Sequence, residues 1–215
     1  MTANEMLNLW KVGFGVFASN SAPGFEDSDI FLELNRVQDL VIEELVVAKD
    51  WTRLQNIISE IGLTPGLTGT GGTYPYISLP VDYMYYVNSF STVTRTAMST
   101  TGFTSSKVIT SAEPVENQEI TSKEAQKFVA NTFDTNRMFK APKAYIREGK
   151  LIVIPDSYTT VGSIILRYVK KRREIGNVSG TGDCELDVSL HRLVVERAID
   201  SAKKIIFIQE PQSSK

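Results

Sequence analysis

Residues 64–111 hold three charged side chains, Asp82, Arg95 and Lys107, against eighteen serines and threonines. So low a charge density solvates poorly as free coil, and the threonine, valine and tyrosine of residues 76–96 favour pleated, half-buried strands. The sixty residues before this stretch have a different period. Leu7, Trp10, Phe14 and Phe17 recur at helical spacing, with Thr2 or Asn4 able to cap a helix reaching about Ser19. Pro23-Gly24 turns the chain. Asp27 or Ser28 is placed to cap a second helix to Lys49, whose apolar stripe is Ile30, Leu34, Val37, Val41 and Leu45. Trp51, Leu54, Ile57, Ile58 and Ile61 predict a third helix, stopped at Gly62.

After residue 111 the pattern alternates. Thr121-Ser-Lys-Glu124 is a capping box opening a short helix to about Thr132. Lys143–Arg147 and Lys150–Ile154 flank Glu148-Gly149, a tight hairpin turn. Pro155-Asp156 interrupts, and Ser163–Lys170 continues what reads as a meander. Asp187 caps a last helix to about Gln209, with Leu190, Val194, Ala198, Ala202 and Ile205 on one face. The expected fold is therefore α+β. An antiparallel helical bundle (1–63 and 186–210) carries a β-rich insertion (64–173, with a short helix near 122–132), a loop at 174–185 and a polar tail at 211–215. Segments 66–73 and 97–106 are expected to be mobile tips.

Site chemistry is scarce. One cysteine, Cys184, excludes an intramolecular disulfide and a thiolate metal cluster, and one histidine, His191, excludes a zinc site built on histidines. Cys184 sits between Asp183 and Glu185, which disfavour a thiolate, so a loop thiol and a helix-surface imidazole are the expectation. The glycine-rich stretch 66–73 lacks the lysine of a phosphate-binding loop. No catalytic, cofactor-binding or metal-binding residue is assigned. The residues from Met1 to Phe17 are not expected to act as a secretory leader, and no apolar run is long enough to span a membrane.

Charge is unevenly placed. Residues 1–63 carry four basic and ten acidic side chains, while residues 140–173 carry nine basic and two acidic, within a net charge of −2. Opposite patches on one chain suit a head-to-tail contact between identical subunits. The candidate contact residues are Glu33, Glu43 and Glu44 against Lys170, Lys171, Arg172 and Arg173. The alternative for the basic run is non-specific contact with DNA phosphates. Tyr83, Tyr85 and Tyr86 belong to a tyrosine cluster that serves either sheet packing or docking of a partner.

Phe25-Glu-Asp-Ser-Asp-Ile-Phe-Leu-Glu-Leu-Asn-Arg-Val-Gln-Asp39, Leu79-Pro-Val-Asp-Tyr83, the stretch Pro142 to Pro155 with Ile164–Lys170, and the helix His191–Ile208 occur in the order helices, β region, meander, closing helix. This resembles the head–tail adaptor, or connector ring, proteins of short-tailed bacteriophages, including crAss-like phages. The resemblance implies a structural virion protein made in the host cytoplasm and placed at the head–tail interface. It implies a homo-oligomeric ring, usually twelvefold, that binds the portal protein, docks further tail or ring proteins and extends the DNA channel, with no catalysis and no cofactor. Two other classes remain. A receptor- or glycan-binding β module would use the tyrosines of residues 74–86 as a stacking platform, and a hydrolase would need a carboxylate pair in a cleft.

Overall fold

The computed structural model describes residues 1–15, 25–67, 74–95, 109–130, 141–155, 159–176 and 182–209. Phe17, the two expected mobile tips apart from Gly66-Leu67, and the 211–215 tail lie outside them. The chain divides into two units, a helical one of Met1–Ile58 with Lys171–Lys215, and a β-rich one of Ser59–Lys170.

In the helical unit, α1 (Ala3–Gly15) opens on a capping box: Glu5 N–H donates to Thr2 Oγ1 at 3.2 Å, and Thr2 N–H to Glu5 Oε2 at 2.8 Å. The cap of α2 (Asp27–Val47) is Glu26 rather than Asp27 or Ser28. Glu26 N–H donates to Asp29, while the Asp27 carboxylate is drawn off to Lys11 of α1 at 2.6 Å. α4 (Val188–Gln209) packs on both α1 and α2. The expected stripes Ile30–Leu45 and Leu190–Ala202 are buried, and only Ile205 of the α4 set is exposed. Leu34 and Val194 are fully enclosed, so Leu34→Ala should cost about 2–4 kcal/mol and Val194→Ala slightly less. Unchanged urea midpoints in both variants would remove this core assignment.

α2 ends with Lys49 at φ 56°, its N–H bonded to Val46 O and the Asp50 N–H to Leu45 O. That left-handed position normally takes glycine. Lys49→Gly should therefore raise stability by about 0.5–1 kcal/mol, seen as a higher urea midpoint.

The expected third helix does not form. Leu54 and Ile57 are fully buried, as an apolar stripe should be, but only a 3₁₀ turn (Gln55–Ile57) occurs. The chain then extends into β1 (Ile58–Leu63). β-Branched Ile57-Ile58 followed by Gly62 resists helix propagation, and a strand slot in the sheet takes the segment.

The β unit contains β2 (Gly66–Leu67), β3 (Pro75–Ser78), β4 (Tyr83–Arg95), β5 (Ile109–Glu116), β6 (Gln118–Glu119), α3 (Ser122–Ala130), β7 (Lys143–Arg147), β8 (Lys150–Ile154) and β9 (Thr159–Lys170). They form a four-stranded sheet in the order β1-β9-β4-β5 and a five-stranded sheet in the order β2-β3-β8-β7-β6. The Glu148-Gly149 hairpin is present, both residues at positive φ, with Arg147 opposite Lys150. The expected meander is not. β7 and β8 pair in one sheet, whereas β9 lies antiparallel to β4 in the other. The reason is alternation. Ile164, Leu166 and Tyr168 of β9 present an apolar face that meets Ile77, Ala144, Leu151 and Val153 of the facing sheet. Continuing the hairpin sheet would leave one of these faces in water.

Candidate functional site

The basic run leaves β9 and divides at once. Arg172 has a side chain only 8% exposed. Its Nε and Nη2 donate to the two Asp39 carboxylate oxygens at 2.7 and 2.8 Å. Nη1 donates to Asn35 Oδ1 at 2.8 Å and Nη2 to the Asn35 carbonyl at 2.9 Å. Asn35 in turn binds the following chain: Ile175 N–H donates to its Oδ1 at 2.9 Å, and its amide donates to Ile175 O at 3.0 Å. A mid-helix asparagine is a poor helix former, and this clamp is what it does there. Arg173 pairs with Glu185, its N–H donating at 3.0 Å. Lys170 ends β9 opposite Tyr83, and Lys171 is exposed.

The candidate acids are also distributed. Burial pushes the Glu33 carboxyl up, but hydrogen bonds from Arg36 and Ser201 outweigh it and hold it below the ordinary value. Glu44 pairs with Arg197 of α4 at 2.6 Å. Glu43 is exposed. Within one chain, then, the acidic helix and the basic run meet at Asp39–Arg172, a contact that neither charge count revealed.

In the β unit, shifts in the β4–β9 register between Tyr83 and Tyr85 and between Tyr86 and Asn88 break strict alternation. Tyr83 and Tyr86 consequently both pack on the inter-sheet core. Burial, reinforced by the Glu119 charge, pushes both phenols up to about 12. The Tyr83 ring lies 5.9 Å from that of Tyr168, whose hydroxyl donates to Asp82 at 3.0 Å. Tyr86 Oη is 3.0 Å from Ser89 Oγ, which also accepts from Asn117 Nδ2 at 2.9 Å. Tyr85 is half-buried opposite Val169. A cavity of about 200 Å³ is lined by Tyr86, Glu119, Thr121, Ser122 and Tyr145 over Leu151.

His191 is buried, not on a helix surface. Its Nε2 lies 2.9 Å from Leu186 O and its Nδ1 2.7 Å from Met1 N, so both ring nitrogens brace the chain. Cys184 is buried and its thiol is pushed up by that burial, which disfavours the thiolate. Among the described residues no group of three His, Cys, Asp or Glu side chains could hold a metal ion, and no helix is long and apolar enough to cross a membrane.

Neither a protein-family model nor a curated protein matches this sequence.

Proposed function

We propose that this chain is a structural virion subunit that forms a homo-oligomeric ring between portal and tail, extending the DNA channel and docking further tail components. It works by assembly, with no catalytic step and no cofactor of its own. The observation that carries the reading is the element order: an N-terminal helix pair closed by a C-terminal helix, with a β unit between them. An antiparallel bundle is the arrangement of helices this reading requires.

The head-to-tail contact sets acidic helices of one subunit against the basic run of the next. Glu33, Glu44, Arg172 and Arg173 already hold partners within the chain. The neighbour contact therefore centres on Glu43 and Lys171, both exposed. Tyr85, less committed to the core than Tyr83 and Tyr86, is the tyrosine assigned to tail docking. Lys171→Glu should abolish ring formation, and adding Glu43→Lys should restore it in part, as read by native mass spectrometry with and without a portal protein. Normal rings in Lys171→Glu with weakened DNA retention would turn the basic run towards the channel.

A second reading has its own observation. The Tyr86–Tyr145 cavity sets two tyrosines beside Glu119, Thr121 and Ser122, residue types suited to a sugar ring. Glycan binding lost in Tyr145→Ala, with rings absent in the wild type, would favour it.

A further inference from the structure

The exposed positions of α2 between Leu32 and Val47 are Leu32, Arg36, Leu40, Glu43, Glu44 and Val47. At 3.6 residues per turn, Leu32, Arg36, Leu40, Glu43 and Val47 fall within an arc of roughly 80°, opposite the buried stripe, and run about 22 Å along the helix. Leu32 is 71% exposed, Leu40 45% and Val47 79%. Three large apolar groups on the solvent side of one helix are a seam that no described residue covers.

The order of residues along the seam names its occupant. It is apolar, basic, apolar, acidic, apolar, and it is symmetric about a point next to Leu40. Reversed and laid on itself, the seam sets Leu32 against Val47, Arg36 against Glu43, and Leu40 against Leu40. Among the described residues Arg36 uses Nε and Nη2 on Glu33 and Ser201, which leaves Nη1 directed to an acceptor on another molecule. A parallel pairing would instead stack like charges. We propose that this face of α2 pairs with the same face of a second copy, antiparallel, about a two-fold axis beside Leu40. Such an isologous contact makes the Arg36–Glu43 pair twice, once on each side of the axis. It does not rest on the ring reading. Because it uses Glu43, the pair and a head-to-tail contact through Glu43 exclude each other, so the pair is the state of subunits off the ring.

Analytical ultracentrifugation of the full chain tests this. The wild type should pass from monomer to a species of doubled mass as concentration rises. Leu40→Glu should remain monomeric with unchanged helical circular dichroism. Arg36→Glu and Glu43→Arg should each be monomeric alone, since each sets like charges face to face. An equimolar mixture of these two should recover the doubled mass, because every facing pair is then of opposite sign. A wild type that stays monomeric throughout, a Leu40→Glu dimer, or a mixture that fails to pair overturns the proposal. Rings that form normally while no two-fold pair exists overturn it without touching the ring reading. Pairs without rings, even on a portal, overturn the ring reading alone.

Discussion

Gly176→Ala is expected to lower stability by about 2–5 kcal/mol, from a left-handed backbone penalty and overpacking together. Gly176 has φ 69°, and a β-carbon there would overlap the Phe31 ring. The ring belongs to α2, one turn before Asn35, so it must turn aside to admit the methyl group. The Gly176 N–H also bonds to Gly182 O at 3.2 Å, closing the loop that leads to α4. The two causes separate experimentally. Phe31→Leu should recover the steric part of the loss in the Gly176→Ala background and leave the backbone part. A urea midpoint within error of the wild type for Gly176→Ala alone would show that this approach is not obligatory.

Arg172→Ala should cost about 2–4 kcal/mol, because it removes four charge-assisted bonds to α2 and takes from Asp39 its bidentate counterion. Asp39 is half exposed, which keeps the loss below that of a fully buried pair. Arg172→Lys should recover little, since an ammonium cannot fork across the Asp39 carboxylate and reach Asn35 as well. The check is denaturant unfolding of the three proteins at neutral pH; a loss under about 1 kcal/mol would reduce the contact to an ordinary surface pair. Reversing all of residues 170–173 at once would therefore destabilise the helical unit as well as any interface, and assembly is properly tested at Lys171.

Where a segment's own residues decide its conformation, the reading from sequence and the structure agree. The cap at Thr2, the capping box at Thr121–Glu124, the Glu148-Gly149 turn and the 3.6-residue stripes of α2 and α4 are local chemistry, complete within a few residues. The scarcity of histidine and cysteine was equally plain. Other features needed partners far along the chain. Leu54, Ile57 and Ile58 have an apolar spacing that fits a short helix or a turn into a strand, and only the neighbouring strand decided between them. Alternation along β9 says that a face is buried, not against which sheet, so its pairing with β4 and not with the β7–β8 hairpin is set by packing. Glu26 became the α2 cap because Lys11, on another helix, takes Asp27. Arg172 read as one of four equivalent surface cations. Its carboxylate lies 133 positions away in sequence, so the pair exists only once β9 delivers the chain to α2. Composition and period determined the apolar stripes of α2 and α4 and the helical or extended character of most segments, though not of residues 51–63. Tertiary packing decided which buried faces meet and which charges are left for another molecule, because both depend on contacts between residues distant in sequence.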